Sequence, residues 1–327
     1  MTKQLINFLP DQYKETNQFP INHNYLLEQF SDKDIILEKI SKVVTDGDFT
    51  LGSAVNAFEQ QFANIIGVRH AIGVGSGTDA IFLSLKALGI KPGDEVITSP
   101  FTFYATVGAI VTAGARPVFV DISDDLNINS EKIEAAITNR TKAIVPIHWA
   151  GQPCNMVKLM SVAHKNKLYV VEDACHAIGA SSQEGNMGAI GTTGCFSLHP
   201  LKNLNVWGDG GIICTNSGSL ANQLRLLRNH GLADRETCEV FGYNSRLDTI
   251  QAVVASHMLG KLENINSKRL HNANYLDRAL RAIPQVKMVN QNRNYISHSY
   301  HLYSQLFEER DKLKEYLNSI GVDAKIH

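Results

Sequence analysis

The feature that most limits the fold of this chain is a regular alternation of apolar runs with amphipathic segments between residues 70 and 173. Five apolar runs are predicted to be strands: residues 70–74, 95–98, 116–120, 142–147 and 168–171. The segments between them are predicted to be helices: residues 78–88, 104–113, 130–137 and 156–166. Apolar strands that alternate with helices indicate a parallel sheet covered on both faces. The sequence therefore predicts an α/β fold with a mostly parallel central sheet flanked by helices.

Outside this region the pattern is mainly helical. Further helices are predicted over residues 32–44, 54–66, 217–229, 247–262, 267–282 and 309–319. Residues 1–30 are polar and irregular, so we expect an arm there, and short strands are expected after Gln285. The alternation stops near Arg246. We therefore predict a large domain over residues 1–245 and a smaller C-terminal α+β domain over residues 246–327.

The composition argues against several classes of protein. Lys plus Arg number 31 and Asp plus Glu number 32, so the formal net charge is −1 and no basic excess suggests nucleic acid. No apolar run reaches membrane-spanning length, and the N-terminus lacks the apolar region of a signal peptide. Five scattered cysteines without a C-x-x-C motif are typical of reduced thiols inside the cell. We expect a soluble cytoplasmic protein.

One lysine, Lys202, lies between an apolar run and a glycine cluster. An amine in a partly desolvated pocket has a lowered pKa and can attack a carbonyl carbon. Asp173 ends another buried strand and would suit a pyridinium nitrogen across a cavity. Such a pair is typical of pyridoxal phosphate enzymes. The alternatives are a solvated surface lysine and an aspartate that caps a helix.

The glycine-rich stretch Gly73-Val-Gly-Ser-Gly-Thr-Asp79 lies between a predicted strand and a predicted helix. Backbone amides there, including that of Gly77, and the Thr78 hydroxyl would hold a monophosphate at the helix N-terminus. A dinucleotide site is the alternative, but its motif is G-x-G-x-x-G with an acidic residue at the end of the next strand. A plain tight turn is the third interpretation.

Two more residues follow predicted strands. Phe103 could stack on an aromatic ring or belong to the core. His176 could contact the same ring or be structural. The histidines and cysteines form no metal-binding pattern, so no metal site is expected. No G-x-S-x-G motif supports a serine hydrolase.

With these residues, the chain resembles the DegT/DnrJ/EryC1/StrS family of sugar aminotransferases, which have the pyridoxal phosphate-dependent transferase type I fold. The resemblance runs from about Asp48 to the C-terminus and rests on many ordered motifs. They include Ser76-Gly-Thr78, Lys91-Pro-Gly-Asp-Glu-Val-Ile97, Phe101-Thr-Phe103, Glu172-Asp-Ala-Cys-His-Ala177, Ser197-Leu-His-Pro-Leu-Lys-Asn203, Gly208-Asp-Gly-Gly211 and Gly242-Tyr-Asn-Ser-Arg246.

The resemblance implies a role for each matching residue. Lys202 would form the imine with the cofactor and shuttle the proton, and Asp173 would pair with the pyridinium nitrogen. His176 would contact the ring and Phe103 would stack on it. The implied phosphate ligands are Thr78, Asp79 through its backbone, Ser197, and Asn244 from the neighbouring subunit of a homodimer.

The implied reaction transfers an amino group, usually from L-glutamate, to the keto group of a nucleotide-linked deoxysugar in aminosugar biosynthesis. Lys202 distinguishes the chain from relatives that carry histidine there and are dehydratases. Asp209 replaces the more common glutamate and favours a 3-keto sugar. Relatives continue past His327, so we expect the small domain to be incomplete. The alternatives are another type I enzyme acting on amino acids and a non-catalytic, cofactor-binding regulatory protein.

Overall fold

The computed structural model describes residues 19–289 and 297–327, and its centre is a seven-stranded sheet. Along the chain, the strands of this sheet are β1 (His70–Val74), β2 (Glu95–Thr98), β3 (Arg116–Phe119), β4 (Thr141–Val145), β5 (Tyr169–Asp173), β8 (Thr193–Ser197) and β9 (Gly211–Thr215). Two-residue strands form a hairpin before β8, namely β6 (Ser181–Ser182) and β7 (Gly185–Asn186). A second small pair joins β10 (Val286–Lys287) to β11 (Leu306–Phe307).

The order of strands across the large sheet is β1-β9-β8-β5-β4-β2-β3. Only β9 runs antiparallel to its two neighbours, and every other pair of adjacent strands is parallel. The predicted mostly parallel sheet is therefore confirmed. It follows that all the strands except β9 end at one edge of the sheet, where ligands of such folds bind.

Helices cover both faces of the sheet, as predicted. In chain order the α-helices of the described residues are α1 (Leu26–Gln29), α2 (Lys33–Asp46), α3 (Ser53–Ile66), α4 (Gly77–Ala87), α5 (Tyr104–Thr112), α6 (Met156–Lys165), α7 (Gly218–Arg228), α8 (Thr249–Leu259), α9 (Leu262–Leu280) and α10 (Arg310–Ser319). On one face, apolar residues of α4, α5 and α7 form a buried cluster with the sheet. On the other face, a larger cluster joins α2, α3, α6 and α8 to it.

One predicted helix is wrong. Residues 130–137 contain only a single 3₁₀ turn, Glu134–Ala136. The Asn129 side chain accepts a hydrogen bond from the Glu131 N–H at 3.1 Å, which gives the backbone a local alternative to a helix. Only Ile133 of the expected apolar face is fully buried, at 0% exposure.

The first and last helices of the described chain, α1 and α10, contain no buried residue. Of the predicted N-terminal arm, residues 1–18 lie outside the described residues, and α1 follows them. α8 packs against α2 and α3, and Leu247 belongs to the larger apolar cluster. The division into domains at residues 245 and 246 stays a prediction. Within residues 19–289 and 297–327, no helix combines the length and the apolar character needed to cross a membrane.

Candidate active site

A cavity of about 390 Å³ lies at the edge where the parallel strands end. Residues that follow β1, β2, β4, β5 and β8 line it, together with parts of the N- and C-terminal segments. Most of the predicted site residues meet there: Gly77, Thr78, Phe103, Asp173, His176, Ser197 and Lys202. Asp79 and Asn244 do not line this cavity.

The N-terminus of α4 points its first residues at the cavity. Ser76 precedes the helix, and its hydroxyl accepts a hydrogen bond from the Asp79 N–H at 3.0 Å. Glycine is required at position 77 because a Cβ there would lie 2.7 Å from the Ser197 Cβ and 3.0 Å from the Cys175 Sγ. The helix can therefore begin directly against the end of β8. Its first amides and dipole suit an anion.

Asp79 and Asn244 occupy other positions. The backbone N–H of Asp79 is used by the Ser76 cap, and its carboxylate accepts a hydrogen bond from the Ser245 hydroxyl at 2.8 Å. Asn244 is exposed and lines a second cavity of about 190 Å³ with Gly75 and neighbouring residues. Ser245 connects the two places, because its hydroxyl also accepts from the Gly75 N–H at 3.2 Å.

Lys202 lies in the loop between β8 and β9. Among the described residues, no hydrogen bond or ion pair reaches its Nζ atom. Burial lowers the pKa of Lys202, and the nearby Cys175 and Asp173 oppose this effect only in part. A larger share of the side chain is therefore the free amine, which is the nucleophilic form.

Asp173 is the last residue of β5 and is only 6% exposed. Its Oδ2 accepts a hydrogen bond from the Thr106 hydroxyl at 2.7 Å, and its Oδ1 accepts one from the Cys175 N–H at 3.2 Å. Asp173 and Lys202 line the same cavity without forming a salt bridge. A ligand in this cavity can therefore contact both residues.

His176 lies among other rings. Its centroid is 4.3 Å from that of His301 and 5.6 Å from that of Trp149. The Nδ1 atom is buried and has no partner among the described residues. Burial, reinforced by Lys202 and His327, lowers the pKa of His176 well below its usual value. The imidazole is therefore neutral near pH 7 and offers a flat surface to the cavity.

Phe103 directly precedes α5 and is 52% exposed, although it lines the cavity. Its ring centroid lies 4.1 Å from that of Tyr104. The ring is accessible from the cavity side, which is what stacking on a ligand requires.

Several residues lining the cavity were not predicted from the sequence. Arg269 lies 5.7 Å from the Tyr25 ring centroid and donates to the carbonyls of Tyr300 and His301, both at 3.0 Å. His301 and Thr106 also line the cavity. The aromatic-rich stretch Ser297-His-Ser-Tyr-His-Leu-Tyr303 is a signal from which His301 could have been predicted. Arg269 lies in an amphipathic helix and gave none.

Sequence comparison identifies the family. The sequence model of the DegT/DnrJ/EryC1/StrS aminotransferase family matches residues 31–327. A relative from Acidithiobacillus ferrooxidans, named UDP-N-acetyl-3-dehydro-alpha-D-glucosamine 3-aminotransferase, is 41% identical over 90% of this chain and 80% of its own. A Geobacillus stearothermophilus relative, named pleiotropic regulatory protein, is 38% identical over 92% of this chain and 82% of its own.

Solved structures agree with the sequence matches. S. venezuelae DesV in complex with a ketimine intermediate superposes with a TM-score of 0.89 at 35% identity, covering 91% of this chain and 81% of that one. NtdA from Bacillus subtilis with the bound cofactor PMP gives a TM-score of 0.86 at 29% identity, covering 95% of this chain and 73% of that one.

Proposed function

Because the chain belongs to the DegT/DnrJ/EryC1/StrS aminotransferase family, we propose that its cavity binds pyridoxal phosphate and transfers an amino group from L-glutamate to a keto group of a nucleotide-linked sugar. The relative named as an aminotransferase of a UDP-linked 3-dehydro sugar supports this class of substrate. The pathway that this reaction serves is the biosynthesis of aminosugars.

The residues that line the cavity fit this cofactor. The N-terminus of α4, with Gly77 and Thr78, and the nearby Ser197 would hold the phosphate. Asp173 would pair with the ring nitrogen, and the flat surfaces of Phe103 and His176 would contact the ring. These assignments rest on position and on the chemistry of each donor.

When bound, pyridoxal phosphate supplies an aldehyde that carries the amino group and a ring that accepts electrons. The protein supplies the rest. Lys202 offers an amine with a lowered pKa, which can accept a proton and return it. The Asp173 carboxylate holds a proton on the ring nitrogen. The buried, neutral His176 helps to keep water away from the reacting atoms.

The observation that carries the proposal is that one cavity is lined both by Lys202, whose amine has no bonding partner in residues 19–289 and 297–327, and by the buried carboxylate of Asp173. The first test is the absorbance of the purified protein with pyridoxal phosphate, followed by addition of L-glutamate. The expected result is a band of bound cofactor that L-glutamate bleaches. Borohydride should fix the cofactor covalently to the wild type and to Lys142→Ala, an exposed lysine on β4. Fixation to Lys202→Ala would show that another lysine reacts.

The second test is a panel of 3-keto and 4-keto nucleotide sugars. The aspartate at position 209 and the 3-dehydro sugar relative both favour a 3-keto substrate. Amino transfer to the 3-keto compounds, detected by mass spectrometry, is the expected result.

One observation favours a second function, because one relative is named a pleiotropic regulatory protein. A regulatory role without catalysis predicts bound cofactor whose absorbance no amino donor changes. Bleaching by L-glutamate together with sugar amination would exclude it.

The exposed position of Asn244, away from the large cavity, is consistent with the implied homodimer in which Asn244 serves the neighbouring subunit. Size-exclusion chromatography with light scattering tests the dimer. Mixing Asn244→Ala with Lys202→Ala chains tests the shared site, because mixed dimers with one intact site should regain part of the activity.

A further inference from the structure

We propose that Thr106 is a positioning residue for Asp173, and that Thr102, Thr106 and Asp173 form one directed line of hydrogen bonds beside the cavity. The inference rests on the proposed function, since it concerns the carboxylate assigned to the ring nitrogen. It gives a role to two hydroxyl groups to which the sequence assigned none.

The distances define the line. The Thr106 Oγ1 lies 2.7 Å from the Asp173 Oδ2 and 2.7 Å from the Thr102 Oγ1. Thr106 is in the first turn of α5 and is 1% exposed, and both Thr102 and Thr106 line the cavity. Thr106 therefore connects the Thr102 hydroxyl to the Asp173 carboxylate.

Chemistry fixes the direction of each bond. An ionised carboxylate has no hydrogen to donate, and a hydroxyl has only one. The Thr106 hydrogen must therefore point to Asp173, so Thr106 accepts the hydrogen of Thr102. The line consequently runs from Thr102 through Thr106 to the carboxylate.

The two oxygens of Asp173 are each held from the protein side. Thr106 donates to Oδ2, and the Cys175 N–H donates to Oδ1 at 3.2 Å. Rotation of the carboxylate would break both bonds. The remaining acceptor positions of the carboxylate are thus available to a ligand in the cavity that Asp173 lines.

The test compares Thr106→Val, which removes the hydroxyl at nearly constant volume, with Thr106→Ser, which keeps it. Thr98→Val is the matched control, because the buried Thr98 hydroxyl donates to the Val145 carbonyl at 2.8 Å and does not line the cavity. The dissociation constant of pyridoxal phosphate is measured by absorbance titration. We expect Thr106→Val to weaken binding roughly tenfold, and Thr106→Ser and Thr98→Val to stay within about twofold of the wild type.

A second readout separates positioning from packing. The absorbance of the bound cofactor changes with pH when the nitrogen that Lys202 contributes loses its proton. The pH midpoint of this change should move upward in Thr106→Val, because a ring with less positive charge disfavours the protonated nitrogen less. It should not move in Thr98→Val. The melting temperature without added cofactor should be lowered by a similar amount in both valine variants.

The outcomes are distinguishable. If the wild type binds no pyridoxal phosphate, the proposed function fails. If the wild type binds it and responds to L-glutamate, but Thr106→Val matches Thr98→Val in affinity and pH midpoint, then Thr106 only packs and this inference is overturned. Should Thr106→Val not fold, Thr102→Val decides, with an expected loss of roughly threefold in affinity; no loss there would refute the line.

Discussion

Glu172 and Asp173 are adjacent on β5, yet their carboxylates lie in different surroundings. Glu172 is 0% exposed and accepts four hydrogen bonds, one from the His148 Nε2 at 2.9 Å and three from backbone N–H groups at 2.6 to 2.8 Å. The backbone donors belong to Gly188, Ile190 and Gly191. Every acceptor position of this carboxylate is used by the protein itself.

Within the described part of the chain, the Asp173 carboxylate accepts two hydrogen bonds, and the residue lines the cavity. The comparison teaches that burial alone does not mark a functional carboxylate. A fully bonded carboxylate stabilises the loop around it, whereas one with unused acceptor positions beside a cavity is available to a ligand. The four experiments below test that distinction, from the largest expected effect to the smallest.

The largest effect is expected from Asp173→Asn. An amide cannot hold a proton on the ring nitrogen, so kcat/KM for amino transfer should fall roughly a thousandfold, or about 4 kcal/mol. The melting temperature should change little. Steady-state kinetics and thermal unfolding measure the two. Nearly normal activity of Asp173→Asn would show that the Asp173 carboxylate has no role in amino transfer.

Glu172→Gln should show the opposite profile. An amide nitrogen would face N–H donors, leaving buried groups unpaired, and we expect a loss of about 3 kcal/mol in the free energy of unfolding. Urea unfolding measures it. Activity per folded molecule should stay within about threefold of the wild type at low temperature. A thousandfold loss of activity in a folded variant would contradict the division of roles.

Two glycines extend the comparison. Gly194 pairs with Glu172 in the sheet, and a Cβ there would collide with the Gly188 backbone. Gly194→Ala should therefore destabilise the fold by about 2–3 kcal/mol. Gly77→Ala meets the Ser197 and Cys175 side chains instead. It should weaken pyridoxal phosphate binding roughly tenfold at a smaller cost in stability. Equal losses of stability in Gly194→Ala and Gly77→Ala would contradict this difference between the two glycines.

The smallest effect concerns pH. Burial lowers the pKa of Lys202 in the folded state from 10.5. The folded state therefore binds fewer protons than the unfolded state between the two pKa values, and its stability rises with pH in that window. Without added cofactor, Lys202→Met should melt above the wild type near pH 7, and the difference should shrink as the pH rises toward 10.5.

Lys142→Met, at an exposed position, is the control for that experiment. Its melting temperature relative to the wild type should not change with pH in the same way. A pH-independent gap for Lys202→Met would mean that the substitution acts through packing alone.

Much of the fold could be predicted from the sequence because periodic apolar residues determine local structure. The strands from β1 to β5 and helices such as α3, α4 and α6 follow this pattern closely. The helix predicted over residues 130–137 is absent because polar side chains such as Asn129 bond to the nearby backbone, and the spacing of apolar residues does not reveal such bonds. α9 also begins at Leu262 and not at the predicted residue 267.

The candidate site also contains residues that could be predicted from the sequence and residues that could not. Gly77, Asp173 and Lys202 follow strands, so the topology of a parallel sheet places them at one edge. Arg269 and His301 come from segments far along the chain, and only tertiary packing brings them to the cavity. The role of Thr106 depends on one hydrogen bond of 2.7 Å, which no spacing in the sequence encodes.

The reversed direction of β9 has a consequence for how the amine is carried. Ser197 at the end of β8 pairs directly with Gly211 at the start of β9, so both ends of the Lys202 loop are fastened by one rung of the sheet. The Leu198 N–H also donates to the Gly210 carbonyl at 2.8 Å. The two ends of the loop are thus held together by the sheet, whereas its middle is held by distant segments, since the Asn203 amide donates to Asn266 at 2.8 Å and to the Ser299 carbonyl at 2.9 Å. The position of the amine therefore depends on the C-terminal part of the chain as well as on the sheet.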